Sequence, residues 1–184
     1  MFSTVIKCSV EDDEENTKAD TNNRQQQQHK VVAIKLIRNN ETMAKAAVKE
    51  LRILRMLKPT GGNTFCVELL DKFEHLNHTT FVFECLDLNL RETLHKFGRN
   101  VGIAISAVRT YSKQLLHALQ HLAKHGVVHA DIKPDNILVS ANYGMVKLCD
   151  FGSAFLESEY MDADPTPYLV SRFYRPPEVR MECN

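Results

Sequence analysis

An α+β fold in two lobes is what this sequence predicts. Three observations carry it: a strand-rich first part, a helical middle, and a last part of short apolar runs separated by polar loops. Residues 1–10 (MFSTVIKCSV) hold a short β-prone run. An unbroken acidic stretch, Glu11 to Glu15, then leads into polar sequence ending in Gln25 to Gln28. Self-repelling charge and repeated glutamine cannot bury enough apolar area to offset ordering, so 11–29 is expected to be a disordered loop. The run VVAIKLI, 31–37, is apolar except for Lys35 and predicts a strand buried on both faces. Residues 41–57 predict a helix, with Asn39 or Asn40 available as N-cap. Ala46, Ile53, Leu54 and Leu57 share one stripe of it and Glu50 falls on the same stripe, where an inward acid wants a cationic partner. Gly61-Gly62 breaks the chain. Phe65 to Phe73 and Thr79 to Glu84 then predict two paired strands joined by a polar turn. Helix signals return at 89–97 and more strongly at 107–125. In the second, Val108, Tyr111, Leu115, Ala118, Leu119 and Leu122 keep helical spacing, Ser106 can cap the start and Gly126 can end it. Short strand pieces follow: VVH, ILVS and MVKLCD. No internal repeat is visible.

Composition narrows the function classes. With 43% apolar residues in 184, the chain can bury a core, so disorder throughout is excluded. Lys plus Arg and Asp plus Glu are equal at 23 each, so bulk charge gives no basic surface for nucleic acid or anionic membrane. The five cysteines, Cys8, Cys66, Cys85, Cys149 and Cys183, are far apart, odd in number and without a C-x-x-C pair. That argues against a disulfide framework or zinc site and for a reducing, intracellular setting. No apolar run approaches the roughly 20 residues that span a bilayer. The first ten residues do not make a signal peptide, because acids follow at once and no small-residue cleavage site is evident.

The segment HADIKPDNILV, 129–139, carries the most chemistry. It sets Asp131, Lys133 and Asn136 in one loop between apolar runs, and Asp150-Phe151-Gly152 ends the strand VKLC further on. Phosphoryl transfer needs a carboxylate to orient and deprotonate an attacking hydroxyl, oxygen ligands for magnesium, and a cation near the phosphates. Asp131 suits the first task. Asn136 and Asp150 are hard oxygen ligands suited to magnesium, and Lys133 can neutralise charge on the transferred group. Alone, each is more often an ordinary turn residue. Jointly they make H-x-D-x-K-x-x-N, an apolar strand, then D-F-G, with VAIK and a helix glutamate upstream in the right order.

On these motifs the chain resembles a eukaryotic protein kinase of the CMGC group, with closest similarity to the spliceosome-associated pre-mRNA-processing factor 4 kinases. The residues that suggest the subfamily are VAIKLIRNNE (32–41), NLRETLHKFGRNVG (89–102), HADIKPDNILV, KLCDFGSA (147–154) and TPYLVSRFYRPPE (166–178). The likeness runs from Val31 to Glu178. It implies one partial kinase domain over 1–184: a small lobe and hinge over 1–86, and the first part of a large lobe over 87–184, with the catalytic loop and activation segment. It implies that Lys35 contacts the α- and β-phosphates and Glu50 holds it by an ion pair. Ala33 and Leu138 would sandwich adenine, and Val5 would roof it. Phe83-Glu84-Cys85-Leu86 would form the hinge, with Phe83 as gatekeeper and backbone groups of Glu84 and Leu86 reading the adenine edge. Lys133 is the residue such kinases use for serine or threonine acceptors. The activation segment would run from Asp150 to Glu178. Tyr168 would be a phosphorylation site there, its phosphate of about −1.5 to −2 charge met by Arg172 and Arg175.

ATP, magnesium and a protein substrate with a serine or threonine acceptor are thus the expected partners. Splicing factors and a nuclear location are implied by the resemblance alone; direct nucleic-acid or membrane binding is not expected. The sequence departs from the family pattern at four places. Ala130 replaces the arginine of His-Arg-Asp; the resembled subfamily also has alanine there, so this is not read as inactivation, and a phosphate on Tyr168 would depend on Arg172 and Arg175. No G-x-G-x-x-G is present, and Phe2-Ser3-Thr4-Val5 resembles the far end of that phosphate-covering loop, so the chain is expected to begin inside it. The loop between the second and third family strands is long and polar, which closure entropy tolerates. The chain stops at Asn184, so Glu178 is expected to be left without the arginine partner the resemblance implies, and apolar faces of the 107–125 helix to be uncovered. The two truncations make a catalytically incompetent fragment acting as a binding or regulatory module, or an incomplete gene product, the competing expectation.

Overall fold

Alternating apolar runs and polar turns build three small sheets around helices in the computed structural model, which describes residues 3–10, 30–58, 64–98, 101–160, 171–175 and 177. The stretch expected to be disordered, 11–29, lies outside the described residues, as do Tyr168 and Glu178. The first sheet has four antiparallel strands: β1 (Ser3–Val10), β2 (Lys30–Ile37), β3 (Leu69–His75) and β4 (His78–Glu84), in the order β1-β2-β4-β3. Its register sets Val5 and Phe81 on either side of Lys35, and Lys7 and Phe83 on either side of Ala33. Strand β2 is more exposed than its apolar letters suggest: Val32, Lys35 and Ile37 are buried, but Val31 is 40% exposed and Ala33, Ile34 and Leu36 are half-buried.

Helix α1 (Glu41–Met56) starts where Asn40, in extended backbone, accepts the Met43 N–H at 2.8 Å. That satisfies one of the orphan donors of its first turn. Ala47, Glu50, Ile53 and Leu54 form its buried stripe; Ala46 is only half-buried. The run from Phe65 does not enter β3 directly. Phe65 has a left-handed φ of 55°, and residues 65–67 run parallel to Leu148, with Val67 N–H donating to Leu148 O at 2.9 Å and Leu148 N–H to Phe65 O at 2.8 Å. One apolar run is thereby split between two sheets.

The second sheet, β5 (Leu88–Asn89), β7 (Ile137–Val139) and β8 (Val146–Leu148), and the pair β6 (Val127–Val128) and β9 (Phe155–Leu156) carry the loops of the site. Helix α2 (Leu90–Phe97) opens with a full capping box between Asn89 and Glu92. Helix α3 (Ile105–Lys124) begins before the expected cap: Ala104 occupies the N-cap without a side-chain bond, and Ser106 lies inside the helix, its carbonyl accepting from Thr110. Gly126, at φ 61°, ends it as expected. Tyr111, Ala118 and Leu122 of the expected stripe are buried, whereas Val108 and Leu119 stay 40% and 38% exposed. A short helix, α4 (Glu157–Tyr160), packs its Glu159 against Arg52 of α1 at 2.7 Å. The core runs continuously through Ile53, Phe81, Leu122, Val139, Leu148 and Phe151. No helix among the described residues is long and apolar enough to cross a membrane.

Candidate active site

A buried charge needs a partner, and three elements meet to provide one. Lys35 on β2 donates to Glu50 Oε1 of α1 at 2.7 Å and to Asp150 Oδ1 at 2.9 Å. The Lys35 and Glu50 side chains are 11% and 5% exposed, while Asp150 is half open to the cleft. Burial alone would lower the Lys35 ammonium, but Glu50 and Asp150 more than reverse this and hold it above its ordinary value. Burial raises the Glu50 carboxyl against the pull of Lys35. For Asp150, burial is outweighed by Lys35 and the carboxyl titrates below its usual range. Asp150 takes left-handed backbone, φ 59° and ψ 78°, turning its carboxylate toward Lys35. A Cβ on Gly152 would stand 3.3 Å from Asp150 Oδ1 and 3.6 Å from Glu50 Oε2, so glycine lets this cluster lie close to the backbone.

The second group sits in the loop between β6 and β7, closed by a 3-10 turn at Pro134–Asn136. Asp131 is its centre. Its Oδ2 accepts from Lys133 Nζ at 2.7 Å and Asn136 Nδ2 at 3.0 Å, and its Oδ1 accepts from Ser171 Oγ at 2.7 Å. Burial opposes ionisation of Asp131, yet Lys133 and Ser171 prevail and its pKa is lowered. Asn136, almost fully buried, also donates to the Asp131 carbonyl at 2.8 Å. With both donations from its amide nitrogen turned inward, its Oδ1 is the group left for a ligand. An amide oxygen and a half-open carboxylate fit a hard cation such as magnesium. Ala130 holds a left-handed φ of 62°.

His129 anchors this loop from below. It is 2% exposed, packs edge-on against the buried Phe151 at 5.1 Å, accepts the Asp131 N–H at Nδ1 (3.3 Å), and its Nε2 meets Cys149 O at 3.0 Å. That pattern requires the neutral ring with its proton on Nε2. Burial accordingly pulls its pKa below 6.5. A depressed histidine pKa means the unfolded chain binds the proton first, so stability is complete above the unfolded value and falls as the pH drops from about 6.5 toward the folded one. Denaturant titrations from about pH 7 to 5 should show that fall in wild type and a flatter profile in His129→Gln. Equal slopes would remove His129 from the account.

Between the two groups lies a cleft of about 620 Å³ lined by Val5, Ala33, Lys35, Phe83, Leu86 and Leu138, with Glu84, Asn136 and Asp150 on its rim and floor. Phe83, next to last in β4, is buried and edge-on to Phe81 at 6.3 Å, and Val5 is 62% exposed over the opening. All the nucleotide and metal positions expected from sequence thus face one cavity or hydrogen-bond into its floor. Tyr168 lies outside the described residues, as does the Arg172 side chain, while Arg175 is half-buried. Sequence reading missed Ser171, which bonds Asp131 and also receives Lys133 Nζ at 3.0 Å. It also missed Arg91, whose guanidinium grips both oxygens of Asp135 (2.6 and 2.9 Å) and reaches the Tyr174 hydroxyl at 3.0 Å. Only the fold brings these together. A serine and an arginine carry no local signal.

Comparison with known proteins shows the family. The sequence pattern of the protein kinase domain family matches residues 21–183. Serine/threonine-protein kinase prp4 of Schizosaccharomyces pombe is 46% identical over 181 residues, covering 97% of this chain and 34% of that protein. Serine/threonine-protein kinase prpf4B of Dictyostelium discoideum is 41% identical over 183 residues, 97% of this chain and 20% of that protein. Dual specificity tyrosine-phosphorylation-regulated kinase 3 of Rattus norvegicus is 34% identical over 155 residues, 83% of this chain and 26% of that protein. The chain therefore spans between a fifth and about a third of the length of these relatives.

Proposed function

This chain belongs to the protein kinase family, and on that premise we propose that it transfers the γ-phosphate of ATP to serine or threonine hydroxyls of a protein. The observation that carries the proposal is the convergence of Lys35, Asp150 and Asn136 on one cleft, with Asp131 hydrogen-bonded to Asn136 beside it. Adenine lies between Ala33 and Leu138 under Val5, with the Glu84–Leu86 backbone along its edge and Phe83 closing the back. Lys35, steadied by Glu50, holds the α- and β-phosphates. Asn136 Oδ1 and the open Asp150 carboxylate would hold magnesium, which when bound would neutralise phosphate charge. Asp131 orients the incoming hydroxyl and accepts its proton as the new phosphorus–oxygen bond forms and the β–γ bridge breaks, releasing ADP. Lys133 screens the transferred group, and Ser171 fixes the Asp131 carboxylate. A phosphate on Tyr168 received by Arg172 and Arg175 belongs to the same reading. So do splicing-factor partners and a nuclear location, which rest on the subfamily resemblance.

Calorimetric titration with ATP tests the metal half. Magnesium should tighten ATP binding by about tenfold or more in wild type, and by less than about twofold in Asp150→Asn. Magnesium-independent binding in both proteins would contradict the assignment of Asp150.

A further inference from the structure

Glu84 and Lys147, on two different sheets, form a contact that the proposed chemistry does not use. Lys147 Nζ lies 2.6 and 2.7 Å from the two oxygens of Glu84, and the side chains are 13% and 26% exposed. Glu84 Oε1 also accepts the Glu68 N–H at 2.7 Å, while the Glu84 N–H donates to Glu68 O at 3.2 Å. Glu84 ends β4; Lys147 sits on β8, opposite Leu138 of β7; and the 65–67 stretch before Glu68 is itself hydrogen-bonded to β8. The next fixed point of the hinge is Asp87, whose N–H donates to Val139 O at 3.1 Å. One carboxylate therefore ties together the end of the four-stranded sheet, the 65–68 stretch and the second sheet. All three ties close on the residue whose backbone is assigned to read adenine.

We infer that Lys147 is a positioning residue for nucleotide selectivity: its ion pair with Glu84 sets the hinge backbone against β8 and so fixes the edge that distinguishes a 6-amino from a 6-oxo purine. The inference rests on the adenine placement proposed above. A largely desolvated ammonium beside a carboxylate that already holds a backbone amide has little freedom, so the pair acts as a rigid strut. Removing the ammonium leaves a half-buried carboxylate that swings toward water. Glu68 N–H then loses its acceptor and the hinge its alignment.

The test compares the full chain with Lys147→Met, the conservative Lys147→Arg, and Glu84→Gln, which keeps an acceptor for Glu68 N–H but removes the charge. ATP and ITP affinities and amide hydrogen exchange at Glu68, Glu84 and Asp87 are measured in each. In Lys147→Met the ATP-to-ITP preference should shrink by about fivefold or more and those three amides should exchange about tenfold faster. Glu84→Gln should move both readouts in the same direction, and Lys147→Arg should restore them to within about twofold of wild type. A purely structural role would weaken ATP and ITP alike and leave the ratio unmoved, which would overturn the inference. Exchange and ratio both within about twofold of wild type in Lys147→Met and Glu84→Gln would overturn it as well. If wild type binds neither nucleotide, the adenine placement fails and the selectivity claim falls with it, while the exchange data still decide whether the strut exists.

Discussion

Asp131→Asn lowers the rate of phosphate transfer to a serine-containing peptide by about 10²–10⁴-fold, the usual contribution of a positioned general base. The substitution is close to isosteric. The amide keeps an oxygen for Ser171 and turns its nitrogen toward Lys133 and Asn136, but Asn136 still holds the residue-131 carbonyl and His129 its N–H, so the loop should persist. ATP affinity should accordingly stay within about twofold of wild type. Radiolabel transfer under saturating ATP measures the first quantity and calorimetry the second. Transfer above about a tenth of the wild-type rate would show that Asp131 does not accept the proton.

Lys35→Met has two separable effects. It strands Glu50, whose side chain is 5% exposed, without its cation. Breaking a buried pair in this way costs about 3–5 kcal/mol, whereas replacing the whole pair with apolar groups is often neutral. Chemical denaturation should therefore show a large loss in Lys35→Met and recovery of most of it in Lys35→Met/Glu50→Leu. ATP affinity, by contrast, should fall about tenfold or more in both, because neither protein offers an ammonium to the phosphates. Recovery of binding along with stability would mean that Lys35 is only structural. The pH dependence has a definite sign. Lys35 is held above its ordinary value, so its contribution is complete below the unfolded lysine range and is lost as the pH rises through the folded value.

Local periodicity already marked Lys35 and Glu50, since a lysine inside an apolar strand and an acid on a buried helix stripe each demand a partner. Asp131, Asn136 and Asp150 were legible because their spacing is set by one loop and one hairpin, both short enough to be written in sequence. Contacts that depend on the chain returning from afar were not. Ser171 reaches Asp131 from forty residues away, and Lys147 reaches Glu84 from sixty-three, each through turns whose direction no local pattern encodes. The split of the Phe65 run between sheets turns on one left-handed residue, which a phenylalanine does not advertise. Helix α3 illustrates the remaining limit: its periodic stripe places Val108 and Leu119 correctly on one face, but periodicity cannot say how much of that face neighbouring chain covers.

Anomalous diffraction from crystals grown with manganese and a non-hydrolysable ATP analogue addresses the shared cleft most directly. A manganese peak between Asn136 Oδ1 and the Asp150 carboxylate, with Lys35 Nζ on the nucleotide phosphates and Asp131 facing the terminal one, is the expected result. A nucleotide bound elsewhere, or metal held without Asn136 and Asp150, would contradict the whole arrangement.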